Sequence, residues 1–316
     1  MDWLWWTLGA LGGVLLFVFG LSFYCYMRVF YSPRRKPLGD GEYEIPPGVE
    51  YAPYRDAIIN WVDRAREMPH EDLTITSRDG LTLRARYYEF APDAPVELLF
   101  HGYRGNGERD MSAGIERCFA LGRSAFIIDH RASGTSDGHT VTFGIKERKD
   151  CIDWTKFAAE KFGKDRKLII TGISMGAATV AMMSADPELP DTVACALCDC
   201  PYSSAREIIM KVVGEMHLPP RLIYPFIRLG ARLFGGFNLD EYSPIEAVKN
   251  AKIPIIYIHG TTDTFVPHEM SVALHAATCT DTAICLIDGA PHGLAFPTDK
   301  EKYLTALADF QTKYLA

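Results

Sequence analysis

The chain has 316 residues, a formal net charge of −7, and 48% apolar against 23% charged residues. That length suits one large α/β domain with a short appendage, and that composition can bury a full core, which excludes a disordered or fibrous chain. An acidic balance with no basic stripe argues against a nucleic-acid partner.

No charged residue occurs from Trp3 to Met27. At 1.5 Å per residue, roughly 20 apolar residues cross a bilayer core, so residues 1–31 are expected to form an N-terminal transmembrane anchor. Trp3, Trp5 and Trp6 would lie at one interface, and Tyr24, Tyr26 and Tyr31 at the other. A cleaved signal peptide is the competing reading; against it stand Asp2, the lack of a basic residue ahead of the span and the lack of a small-x-small cleavage site. Arg28, Arg34, Arg35 and Lys36 all follow the span, and the positive-inside rule then puts the rest of the chain in the cytoplasm. Beyond Cys25 the chain carries seven cysteines, mostly inside apolar runs, which reads as buried free thiols in a reducing compartment. Cys195 and Cys198 form a C-x-x-C in a strand-like run without a second ligand pair, so no metal or other cofactor is expected.

Residues 32–53 are dense in Pro and Gly and read as an irregular surface linker. A helix is expected over about 54–67, so that 32–70 forms a linker with an N-terminal helix. LTITS and LTLRARYYEF flank Asp79-Gly80 and predict an antiparallel hairpin. Short apolar strands then recur at 96–100, 125–129, 167–171, 193–199, 254–260 and 283–288, alternating with helical stretches such as 108–122, 146–162 and 299–315. An antiparallel start followed by strand–helix alternation predicts a mostly parallel central sheet with helices on both faces, over residues 71–316. The rhythm breaks once, at about 203–243, where an apolar insertion is positioned to form a helical cap over the carboxyl edge of the sheet; an ordinary pair of packing helices is the plainer reading. Nothing in the sequence indicates the oligomeric state.

The sharpest local signal is Gly172-Ile173-Ser174-Met175-Gly176, which follows an apolar strand and opens a helix of small residues. A serine hydroxyl attacks carbonyl carbon only when it is held exposed beside a base, and a strand-to-helix elbow with flanking glycines achieves that. His292, in a loop after the last strand, supplies the base, and Asp263, in the loop after PIIYI, supplies the acid that orients it. The order Ser…Asp…His, with gaps of roughly 90 and 30 residues, is the one this elbow type uses. Asp199 and Asp288 are alternative acids. The oxyanion hole would take one backbone N–H from Met175 and one from the 98–107 loop, where Tyr103 follows the permissive Gly102. His101 is expected to set that loop. Arg104 is equally readable as a substrate contact or a solvated residue, and Asp129 and Arg131 are expected to pair as scaffolding.

FHGYRGN, DHRASGTSDGH, TGISMGA, DCPYSS and HGTTDTFVP…PHG together resemble the α/β-hydrolase superfamily. They are most similar to a bacterial, membrane-anchored branch related to the prolyl oligopeptidase and serine aminopeptidase hydrolases. The resemblance covers most of residues 71–316 and implies a metal-independent serine hydrolase with the triad Ser174, Asp263 and His292. It leaves the substrate open. The anchor and the apolar insertion favour an esterase acting on small-molecule or lipid-like acyl esters. A serine peptidase acting on short peptides is the alternative within the class, and a non-catalytic membrane-tethered binding protein the alternative outside it.

Overall fold

The computed structural model describes residues 2–34, 38–39, 41–46 and 48–315. In chain order the elements are α1 (Asp2–Val29), a 3-10 turn (Val49–Tyr54) leading into α2 (Arg55–Glu67), β1 (Glu71–Thr76), β2 (Thr82–Tyr88), β3 (Val96–Phe100), α3 (Gly107–Ala120) and β4 (Ser124–Asp129). Then follow α4 (Glu147–Phe162), β5 (Leu168–Ile173), α5 (Met175–Met183), β6 (Val193–Asp199), α6 (Ala205–Glu215), α7 (Pro220–Leu233) and α8 (Pro244–Ala247). The chain closes with β7 (Ile255–Gly260), α9 (Glu269–Ala277), β8 (Thr282–Ile287), α10 (Ala295–Thr298) and α11 (Lys300–Leu315).

The eight strands form one sheet in the order β1-β2-β4-β3-β5-β6-β7-β8. β1 and β2 are the predicted hairpin and join antiparallel to β4, whereas every pair from β4 to β8 is parallel. All five residues of β3 are buried, as a strand covered on both faces requires. One face packs on α4, α5 and α9 through Trp154, Ala158, Val180 and Leu274. The other packs on α2, α3 and α11 through Trp61, Ile115, Tyr303 and Leu307. The parallel order brings the carboxyl ends of β3, β5, β6 and β7 to one rim, and the loops that leave them meet there.

The first helix is long and apolar enough to cross a membrane, and most of its length is exposed. Its second half, however, docks on α7. Phe17 meets Phe226 edge-on at 6.5 Å between ring centroids, and Phe19 and Phe23 each meet Phe234 at 5.1 Å. Gly230 permits this approach, because a Cβ there would lie 2.4 Å from the Ser22 carbonyl oxygen. Cys25, Tyr26 and Phe30 thereby join an apolar cluster with α6, α7, Phe143, Met175 and Val266. α6 and α7, which fall in the 203–243 insertion, so form one packed unit with α1 and with the residue that follows Ser174. Of the basic residues after α1, Arg34 bonds Asp137 (3.0 Å), whereas Arg35 and Lys36 lie outside the described residues.

The expected Asp129–Arg131 pair does not form. Arg131 bonds Asp79 and Asp150 instead, while Asp129 accepts from the Gly107 and Thr135 N–H groups, each at 2.8 Å. Asp129 closes β4 and Arg131 lies two residues on, in the loop, where each finds its partners in other segments. Beneath the sheet a second buried network ties three elements together. The fully buried Glu97 on β3 accepts from Arg117, from Arg123 (3.1 Å) and from the Thr171 hydroxyl (2.7 Å). Burial alone would push its carboxyl up, and the two guanidinium groups reverse that direction. Glu97→Ala leaves two cations buried without their anion, and urea unfolding of the detergent-solubilised chain is expected to show a loss of about 3–5 kcal/mol.

Candidate active site

Ser174 stands between the end of β5 and the start of α5 with φ 54° and ψ −115°, a backbone conformation rarely adopted by a side-chain-bearing residue. The surrounding backbone holds it there. The Ser174 N–H donates to the Asp199 carbonyl (2.8 Å), and its own carbonyl accepts from the Ala178 N–H (3.0 Å). A Cβ at Gly176 would lie 2.0 Å from the Phe100 carbonyl oxygen, and one at Gly172 would lie 2.2 Å from the Gly176 backbone. Only glycine fits at either place, so the elbow is fixed by main chain packed on main chain.

His292 reaches this serine from the loop after β8. Its Nε2 lies 2.9 Å from Ser174 Oγ, and its Nδ1 lies 2.6 Å from Asp263 Oδ2. A carboxylate only accepts, so Nδ1 carries the proton and Nε2 is free to accept from the serine hydroxyl. The Phe265 ring packs edge-on against the imidazole at 5.1 Å. The Tyr51 hydroxyl, from the 3-10 turn ahead of α2, donates to the His292 carbonyl (3.0 Å).

Asp263 is fully buried and accepts four hydrogen bonds. Oδ1 takes the N–H groups of Phe265 (2.9 Å) and Val266 (2.8 Å), and Oδ2 takes His292 and the Nε2 of His259 (3.0 Å). Burial pushes this carboxyl up, but the hydrogen bonds from His259 and His292 outweigh it and hold the group well below the usual carboxylate range. His259 Nε2 also lies 2.9 Å from the Val266 carbonyl, and its Nδ1 lies 2.6 Å from Ser271 Oγ. Both neighbours of Nε2 are acceptors, so that nitrogen carries the proton.

His259 is the residue that sequence reasoning missed. Its place four residues before Asp263, near the end of the strand that leads into that loop, was the usable signal. The alternative acids lie elsewhere: Asp199 accepts from the Tyr303 hydroxyl (2.8 Å), and Asp288 is exposed.

The loop after β3 lies against the elbow, since a Cβ at Gly102 would lie 3.5 Å from the Ser174 Cβ. His101 sets it as expected: it is buried, with Nδ1 2.7 Å from the Gly102 carbonyl and Nε2 accepting the His130 N–H (3.0 Å). Gly102 N–H donates to Asp110 (3.1 Å). Among the described residues, neither the Tyr103 N–H nor the Met175 N–H donates to a protein acceptor. Cys200, at the end of β6, brings its sulfur within 4.8 Å of ligand atoms of Asp263 and His292. Burial pushes that thiol well up. Cys195 and Cys198 are buried free thiols.

Comparison with known proteins agrees with the architecture. Residues 140–316, more than half of the chain, match the prolyl oligopeptidase family. Among curated proteins, YqkD of Bacillus subtilis is 25% identical over 77% of this chain and 80% of its own length. The α/β-hydrolase domain-containing protein WAV2 of Arabidopsis thaliana is 23% identical over 78% and 79%. Among solved structures, the Pyrococcus furiosus esterase Pf2001 superposes with a TM-score of 0.68 at 19% identity, covering 91% of this chain and 99% of that one. The acylaminoacyl peptidase of Pyrococcus horikoshii gives 0.56 at 16% identity, over 79% of this chain and 43% of that one. The sheet is thus that of an α/β-hydrolase, and by its sequence the chain belongs to the prolyl oligopeptidase family.

Proposed function

We propose that this chain is a membrane-anchored serine esterase that cleaves small-molecule or lipid-like acyl esters through an acyl-enzyme. The observation that carries the proposal is the hydrogen-bonded line Asp263–His292–Ser174, set on a strained strand-to-helix elbow. Ser174 attacks the ester carbonyl while His292 Nε2 takes its proton. Asp263 holds the imidazole in the required tautomer and stabilises the imidazolium. His292 then returns the proton to the departing alkoxide, the alcohol leaves, and water, activated by the same histidine, hydrolyses the acyl-serine. Met175 and Tyr103 supply the N–H groups for the tetrahedral oxyanion, each worth roughly 3–4 kcal/mol in sites of this kind. The free state of both amides and the nearness of Gly102 to Ser174 support that assignment.

In this reading α1 spans the membrane, residues 32–70 link it to the enzyme, residues 71–316 are the hydrolase domain, and the 203–243 insertion is its cap. The exposure of α1 supports the anchor, since the core helix of a soluble domain would be mostly buried. The basic residues after α1 favour a cytoplasmic hydrolase domain. An ester is favoured over a peptide because the cap, α1 and Met175 share one apolar cluster, a surrounding suited to an acyl chain.

A fluorophosphonate probe is expected to label the native chain, and Ser174→Ala is expected to lose the label and to lower ester turnover roughly 10,000-fold or more. Retained label in that variant would mean that another residue is the nucleophile. Separately, kcat/KM measured across p-nitrophenyl esters of rising acyl length is expected to exceed that for aminoacyl-nitroanilides at every length. Faster nitroanilide cleavage would turn the assignment to a peptidase.

A further inference from the structure

The last carbonyls of a helix have no partner within it and must find donors elsewhere. At the end of α1 two of those donors are side chains of the loop that lies against Ser174. The Tyr103 hydroxyl donates to the Val29 carbonyl (2.6 Å). Arg104 Nη2 donates to the carbonyls of Arg28 (3.0 Å) and Tyr31 (2.7 Å). The Arg104 guanidinium lies over the Tyr103 ring at 5.1 Å, and that ring packs on Phe143 at 5.0 Å.

The helix end is fastened on its other side as well. Tyr26 Oη lies 2.8 Å from Thr140 Oγ1, the Val141 N–H donates to the Phe30 carbonyl (2.8 Å), and the Ser32 N–H donates to the His139 carbonyl (2.9 Å). Gly102, one residue before Tyr103, is held independently by Asp110 and His101. The backbone of Tyr103 is therefore bracketed, with the protein core fixing one end and α1 fixing the other. Arg104 sits at φ 51°, in the left-handed region, which a non-glycine residue keeps only where neighbours impose it. The carbonyls that Arg104 grips are such neighbours.

We propose that the docked end of α1 is part of the catalytic apparatus at one remove: its carbonyls at residues 28, 29 and 31 hold the side chains of Tyr103 and Arg104, and so aim the Tyr103 N–H at the oxyanion. Both side chains are positioning residues, and neither need touch the substrate. The inference rests on the serine-hydrolase reading of Ser174. It gives α1 a second task besides attachment, because whatever shifts the helix on α7 also shifts the oxyanion loop. A misplacement on the order of 1 Å in such a site costs up to about 100-fold in rate.

The test uses the full-length chain in detergent micelles, with Tyr103→Phe, Arg104→Ala and Arg104→Lys. All three keep the backbone N–H at residue 103. Tyr103→Phe and Arg104→Ala are expected to lower kcat about tenfold on a short p-nitrophenyl ester with KM within about twofold, and Arg104→Lys to recover most of the loss. Affinity for a trifluoromethyl ketone, which forms a tetrahedral adduct on the serine, is expected to weaken by the same factor as kcat/KM falls. Fewer fluorophosphonate-titratable sites with unchanged kcat per site and unchanged ketone affinity would mean that the contacts only stabilise the fold, and would overturn the proposal. Unchanged kcat in all three variants would overturn it too. Should Ser174→Ala retain activity, the underlying enzyme assignment would be what has failed.

Discussion

The backbone of Ser174 is left-handed because main chain presses on main chain around it. α5 can start at that angle only while Gly176 lies against the Phe100 carbonyl and Gly172 lies against Gly176. The same contact sets the spacing between β3, β5 and the helix, and so brings the β3 loop and the β7 and β8 loops to a common point above the sheet. The hydroxyl of residue 174 then meets an imidazole whose orientation is imposed by a carboxylate with four donors. Geometry at the elbow and electrostatics at Asp263 are thus separate supports for one hydrogen-bonded line. Steric exclusion maintains the first, and saturated hydrogen bonding to a buried carboxylate maintains the second.

Much of this could be read from residue order, for identifiable reasons. Strands buried on both faces appear as short, mostly apolar runs, so VELLF and VACALCD disclosed themselves, and the hairpin announced its turn with Asp79-Gly80. Ser174, Asp263 and His292 stood out because their chemistry is unusual just beyond strand ends. What stayed hidden were contacts between elements distant in sequence. Nothing about Phe234 or Gly230 discloses that α1 lies on α7, since an apolar face suits lipid and protein equally. Arg131 was paired with its sequence neighbour Asp129, when the loop carries it to Asp79 and Asp150. His259 carries no such signal by itself, because its role is to share a carboxylate oxygen with a histidine 33 residues away.

The union of α1 with α6 and α7 also changes how the apolar residues of the insertion are understood. Tyr224, Ile227 and Ala231 are buried against the first helix and the loops near Met175, while Leu222 and Leu233 remain exposed. Amphipathicity in α7 therefore faces three surroundings at once: the body of the enzyme, a neighbouring helix and the exterior. A glycine at position 230 reconciles two of them, by letting backbones approach where any side chain would force the helices apart.

Tyr51 carries a consequence for where the working unit begins. Its hydroxyl grips the carbonyl of the histidine that faces Ser174, yet it belongs to a Pro-rich stretch ahead of the first strand. Tyr54, close by, lies within 2.9 Å of Thr298 just before the final helix. The stretch from Val49 to Glu67 is accordingly a strut rather than a slack tether, and it steadies the imidazole from ahead of the sheet.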